Sequence, residues 1–170
     1  MTEKQESVTL SIIIPAKNEA GSIAAVVSTA CAEYPDAEVI VVDDGSDDNT
    51  GGLAKEAGAI VLRHPESLGN GASVKSGARA ARGEILAFMD GDGQHDARDL
   101  AKLLAKLDDG YQMAVGARDS GSHASVGRLF ANGIYNEIAS KLCGRRILDL
   151  TSGFRVARAQ HFKQFLYLSL

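Results

Sequence analysis

The sequence contains no tryptophan, and with four tyrosines and five phenylalanines aromatics supply only 5% of its 170 residues. No stretch approaches the ~18 consecutive apolar residues of a membrane-spanning helix. The opening MTEKQESVTL lacks a basic segment leading into an apolar one, which argues against a secretory leader and for a cytoplasmic protein. The two cysteines, Cys31 and Cys143, are far apart and form no CxxC, so both are read as structural rather than catalytic. With 45% hydrophobic and 24% charged residues the chain is neither disordered, collagen-like nor a coiled coil. What it has in excess is glycine, 18 residues where ~7% is usual, which implies close backbone approaches and tight turns. At a typical ~100–200 residues per domain, residues 1–170 make one domain.

The net charge of −4 conceals an asymmetry. Residues 1–110 carry 10 basic and 19 acidic side chains, a net of −9, while residues 111–170 carry 8 and 3, a net of +5. A basic C-terminal section suits an anionic partner, a phosphate or a membrane surface. No nucleic-acid partner is expected.

Hydrophobic patterning alternates short continuous runs with helical stripes. Val8–Pro15, Glu38–Val42, Ala59–Leu62, Glu84–Met89 and Gln112–Gly116 read as strands, the first two and the fourth buried on both faces. Between them, a helix entered at Ser22 carries Ile23, Val26, Val27, Ala30 and Cys31 on one face. Thr50–Ala57 is a short helix closed by Gly58, Gly69–Gly83 a small-residue helix able to lie close on a sheet, and Ala97–Leu107 a helix capped by Asp96. A further helix is expected over 125–142. Strands alternating with helices imply an α/β fold with an open, mostly parallel sheet, whose ligands bind outside the carboxyl ends of the strands. Polar clusters follow three of the buried strands directly: Asn18-Glu19, Asp43-Asp44 and Asp90-Gly91-Asp92. Three acidic loops should therefore converge at one rim.

Asp90 and Asp92, with glycine on either side of Asp92, can aim two carboxylates into one space beside a slim backbone. Clustered carboxylates repel each other and would repel a phosphate, so the pattern suits a hard dication, Mg²⁺ or Mn²⁺, that bridges to a diphosphate. Three competing motifs fail. GNGASVKS at 69–76 has the Walker A spacing except that Val74 replaces its second glycine, and the same residue breaks a GxGxxG fingerprint. A phosphatase DxDx[TV] loop is contradicted by Gln94 and by its place after a fourth strand rather than the first.

The stretches SIIIPAKNEAGSI, VIVVDDGSDDNT, LGNGASVKSGARAARGEILAFMDGDGQHD, VGAR and RLFANGIYNEIASKLCGRRILDLTSGFRV occur in an order that resembles the family 2 glycosyltransferases of GT-A fold. Among them the likeness is greatest to the polyprenyl-phosphate (dolichyl-phosphate) sugar synthases, with DLTSGFR favouring a lipid-phosphate acceptor. The resemblance implies transfer of a sugar, with inversion, from a GDP- or UDP-linked donor to a polyprenyl phosphate at the cytoplasmic face of a membrane. It places Pro15, Lys17, Glu19, Val42, Asp44 and Asp90 around the donor nucleotide, with Asp43 a further partner, and Asp90, Asp92 and Gln94 around the metal. His95 is expected to be structural. Arg118, Arg128, Asn132, Ser152 and Arg155 would face the acceptor phosphate, with Asp92, Arg118 and Arg128 taking part in catalysis. Arg128 and Asn132 are one helical turn apart, and guanidinium forks onto phosphate oxygens while keeping its charge. Relatives continue well beyond the GFR motif, so the donor part is expected to be complete and the acceptor part shortened at its C-terminal end. The apolar ending Phe162, Phe165, Leu166, Leu168 and Leu170 would then seek a partner subunit, another copy or a membrane. Two alternatives stay open: a nucleotide-sugar-binding module without its own turnover, and a glycosyltransferase acting on a sugar acceptor.

Overall fold

The computed structural model describes residues 8–116 and 152–166. The apolar runs become four parallel strands, β1 (Leu10–Ala16), β2 (Glu38–Asp43), β3 (Ile60–Arg63) and β4 (Ile85–Phe88), with β1 between β2 and β4. Two further strands, β5 (Met113–Val115) and β6 (Arg155–Arg158), complete a sheet of order β3-β2-β1-β4-β6-β5. β6 runs antiparallel to both of its neighbours.

Because successive side chains of a strand point to opposite faces, the continuous apolar runs of β1 and β2 feed two separate cores. Ile12, Ile14, Val39 and Val41 pack on one side with Ile23 and Val27 of α1 (Ile23–Glu33), Ala54 of α2 (Thr50–Glu56) and Leu100 and Leu107 of α4 (Leu100–Asp108). Ile13, Ile40 and Val42 pack on the other side with Ala78 of α3 (Asn70–Ala80) and Leu166 of α5 (Ala159–Leu166). The small residues of α3 have the purpose the sequence suggests: a Cβ added to Gly77 would collide with Ile13 and stand 3.2 Å from Val42.

The element boundaries differ from expectation for identifiable reasons. α3 ends at Ala80 because Ala81 turns extended, with ψ 136. The Arg82 amide then donates to Glu38, and the Gly83 amide donates to Ser11 Oγ at 2.8 Å. Burial pushes the Glu38 carboxyl up, but hydrogen bonds from Ser11 and Arg82 outweigh it and hold the group below its ordinary value. The helix expected from Ala97 starts as a 3-10 turn over Ala97–Asp99, and Asp96 caps it by accepting the Arg98 amide at 2.9 Å. Ser22 precedes α1 but caps nothing with its side chain. β6 and α5 were not expected, and helix 125–142 and Cys143 fall outside the described residues. Cys31 is half-buried and burial raises its thiol pKa, in keeping with a structural role.

Candidate functional site

The loops that follow β1 and β2 clasp each other. The Asn18 amide donates to Ser46 Oγ at 3.0 Å, and the Asp47 amide returns a bond of 2.8 Å to Asn18 Oδ1. The Glu19 amide donates to Thr50 Oγ1 at 2.8 Å, and the Ala20 amide to Asp48 at 3.1 Å. Asn18 reaches this position through a left-handed backbone, φ 56, a conformation asparagine tolerates better than most residues. Ser22 ties the third loop in: its hydroxyl donates to the Gly91 carbonyl at 2.8 Å. The three acidic loops therefore do meet at the carboxyl ends of the parallel strands.

Asp43 and Asp44 look equivalent in sequence and are not. Asp43 is wholly buried, accepts the Ser46 amide at 2.9 Å and pairs with Arg63 at 3.0 Å, so it closes its own turn. Asp44 accepts four hydrogen bonds: from His64 Nδ1 at 2.7 Å and the Leu68 amide at 2.9 Å on one oxygen, and from Ser67 Oγ and the Gly69 amide, both at 2.8 Å, on the other. Burial pushes its carboxyl up, yet these donors, His64 foremost, hold it well below the usual carboxylate range. His64 continues the chain from its Nε2 to Ser76 Oγ of α3 at 2.9 Å. His64 had no signal in the sequence beyond its place at the end of an edge strand. A buried carboxylate that must find donors is the one hint that could have led to it.

Pro15, Lys17, Glu19, Asp44, Asp90 and Asp92 all line one cavity of about 400 Å³. Ser67, Gly69 and Asn70, from the segment that Asp44 organises, complete its far wall. Val42 is a correction. It is fully buried beneath α3 and cannot touch a nucleotide, because its position on β2 points into the second core. Gln94 is exposed and does not line that cavity, and its backbone amide donates to Asp92 at 2.9 Å. His95 stacks on Phe154, ring centroids 4.8 Å apart, as a structural residue would.

A second cavity of about 450 Å³ adjoins the first through Pro15, Asn70 and Asp90, which line both. Ser152 and Arg155 lie on its wall. Arg155 sets its guanidinium 5.4 Å from the centroid of the Phe88 ring, and its Nε is buried with no hydrogen-bond partner among the described residues. Burial pushes its pKa down while the charge of Asp90 counters that. Phe162 and Leu166 do not face outward as the apolar ending suggested. They pack in the second core, Phe162 at 4.8 Å from Phe88, because α5 folds back beside α3. Leu168 and Leu170, the Phe165 side chain, and Arg118, Arg128 and Asn132 lie outside what the structure describes.

Among the described residues no three His, Cys, Asp or Glu side chains gather closely enough to hold a metal ion by themselves. Mg²⁺ commonly uses only one or two carboxylates and completes its shell with water and substrate phosphates. Asp90 and Asp92 fit that description: both face the first cavity, and Asp90 stands where the two cavities meet. Room for the Asp90 carboxylate depends on Gly153, since a Cβ there would lie 2.7 Å from Asp90 Cγ. Gly153→Ala is expected to fold, because a single terminal carboxylate can swing aside, but to misplace that carboxylate. Affinity for Mn²⁺-nucleotide should fall about tenfold or more with little change in melting temperature, as calorimetry and thermal denaturation would show.

Residues 11–166 match Glycosyl transferase family 2. Over 159 residues the chain is 33% identical to Glycosyltransferase AglJ of Haloferax volcanii, an alignment covering 89% of this chain and 50% of that protein. It is 32% identical over 162 residues to Polyprenol monophosphomannose synthase of Mycolicibacterium smegmatis, covering 88% and 61%. Among solved structures, glucosyl-3-phosphoglycerate synthase of Mycobacterium tuberculosis, in complex with Mn²⁺, UDP-glucose and phosphoglyceric acid, superposes with TM-score 0.73 at 26% identity, covering 89% of this chain and 57% of that one. The fold is thus the GT-A fold, and the chain spans about half the length of the relatives it matches.

Proposed function

Because the chain belongs to glycosyl transferase family 2, we propose that it is the donor-binding and catalytic core of a metal-dependent, inverting glycosyltransferase that moves a sugar from a nucleoside diphosphate to a polyprenyl phosphate. The observation that carries the reading is Asp90, a carboxylate shared by two adjoining cavities, one acidic and one lined by Arg155, Val74 and Phe162. The first cavity would take the nucleotide, with Pro15, Lys17 and Glu19 along the base and ribose. The second would take the acceptor. The 32% identity to a polyprenol monophosphomannose synthase supports the lipid acceptor.

Asp90 and Asp92 would hold Mg²⁺ or Mn²⁺, which supplies neutralisation of the charge that develops on the departing diphosphate. The residues of the chain do the positioning. Asp44 fixes the 64–69 segment against the nucleotide cavity, and the Ser22 to Gly91 bond fixes the Asp90–Asp92 loop against α1. Arg155, with Ser152 beside it and Arg118, Arg128 and Asn132 from the basic section, would turn the acceptor phosphate toward the sugar. A phosphate oxygen attacks the anomeric carbon, forming the new C–O bond as the bond to the diphosphate oxygen breaks. The second pKa of a phosphate monoester is ~6, so the nucleophile is already anionic near neutral pH and no side chain has to take its proton.

A second reading, a small phosphorylated acceptor, is favoured by the likeness to a synthase crystallised with phosphoglyceric acid. Radiolabelled GDP- and UDP-sugars offered with Mn²⁺ and either farnesyl phosphate, phosphoglycerate or a free sugar separate the possibilities. Label on farnesyl phosphate alone supports the lipid acceptor, label on phosphoglycerate or the sugar replaces it, and donor binding without any transfer leaves a binding module.

A further inference from the structure

We propose that Lys75 is a phosphate-binding residue for the acceptor, acting with Arg155 across the second cavity, and that Val74, Phe162 and Leu166 take the first isoprene units of the lipid. The inference rests on the lipid-phosphate reading above. It adds a cation from α3 and a site for the chain, neither of which the resemblance or the relatives assign.

Lys75 lines the second cavity and makes no ion pair among the described residues. The lysines of α4 behave differently, Lys102 pairing with Asp99 at 2.7 Å and Lys106 with Asp109 at 2.9 Å. In the same cavity Arg155 keeps a buried Nε without a partner among the described residues, a costly state for a guanidinium unless an anion answers it. Ser152 Oγ accepts the Phe154 amide at 3.2 Å, which leaves its own proton to donate. Two cations and a hydroxyl suit a phosphate monoester of charge about −1.5 to −2.

Asp90 and Asn70 line the cavity where it meets the first one, and Val74, Phe162 and Leu166 give it an apolar part. Val74 comes from the same helix as Lys75, and Phe162 and Leu166, one turn apart, come from α5. A free inorganic phosphate would gain nothing from these three residues, whereas a prenyl phosphate would bury its first units against them. At about 450 Å³ the cavity is of small-ligand size and holds the head of such a lipid rather than its whole length. Val74, the residue that spoils both phosphate-loop motifs, thereby acquires a use: a β-branched apolar side chain beside a lysine that binds phosphate.

The test compares farnesyl phosphate, farnesol and inorganic phosphate binding to the whole chain by calorimetry, followed by transfer kinetics. In Lys75→Met, which keeps the stem and removes the charge, the dissociation constant for farnesyl phosphate should rise about tenfold or more, with the donor KM unchanged within twofold and Lys75→Arg restoring most of the loss. Val74→Asn should shrink the preference for farnesyl phosphate over inorganic phosphate while leaving inorganic phosphate binding unaltered. Farnesyl phosphate binding that is absent from the unaltered chain, or equal in Lys75→Met, overturns the inference, as does a matching loss of donor affinity. A chain that binds farnesyl phosphate through Lys75 but transfers no sugar to it supports the inference and overturns the functional reading alone.

Discussion

Asp90→Asn abolishes Mn²⁺-dependent binding of the nucleotide sugar and lowers transfer by about a thousandfold, the scale expected when an electrostatic element acting on developing charge is lost. Asp90 is singled out over Asp92 by its place. It lines both cavities, whereas Asp92 lines one, is exposed, and already accepts the Gln94 amide. Asparagine keeps the shape and removes the charge, so the change reads the electrostatic contribution rather than a cavity. The fold should survive it, because no described residue donates a hydrogen bond to Asp90 that its removal would orphan, and the cost is confined to the Arg155 charge that Asp90 offsets. Calorimetric titration of GDP- and UDP-sugars with and without Mn²⁺ checks the claim. Undiminished, metal-dependent donor affinity in Asp90→Asn would remove Asp90 from the metal site.

The legible parts of the sequence were those buried on two sides. β1, β2 and β4 carry nearly unbroken apolar runs because helices cover both faces, and each run leads straight into the polar loop that forms the rim. β6 escaped notice because RVAR is only four residues, Val-Ala between two arginines, too short to show a period of two, and pairs antiparallel between β4 and β5. The DxD pair was read from two residues and their glycines, and both of its aspartates line the first cavity. Val42 failed because, although two residues from Asp44 and so on the same face, it lies further back from the strand end, where Gly77 of α3 packs directly over it. Gln94 supports the Asp92 turn through its backbone amide, a role its side-chain type does not announce. The inequality of Asp43 and Asp44 depends on donors 20 to 25 residues away, His64 to Gly69, and no local pattern announces those.

Asp44→Asn destabilises the protein more than it weakens nucleotide binding directly. The resemblance sets Asp44 beside the donor nucleotide, but in the structure its four acceptor positions are already taken, two of them by the Leu68 and Gly69 backbone amides. An asparagine amide turns one acceptor atom into a donor facing donors, and the group is 4% exposed, so water cannot readily compensate. With ~1–3 kcal/mol for each orphaned buried group, a loss of about 3 kcal/mol is expected, and for a chain of this size that lowers Tm by roughly 10 °C. The Gly69–Asn70 corner should loosen with it, so donor affinity falls as a consequence of the lost support. The pH dependence has a definite sign. The native carboxyl is held below its unfolded value of ~3.9, so its stabilisation is complete above that pH and is lost as the pH falls through the lower native value. The Tm difference between the unaltered protein and Asp44→Asn should therefore be constant from neutral pH down to about 5 and shrink progressively below about 4. Equal melting temperatures at pH 7, with donor affinity alone reduced, would return Asp44 to the base pocket as a direct ligand.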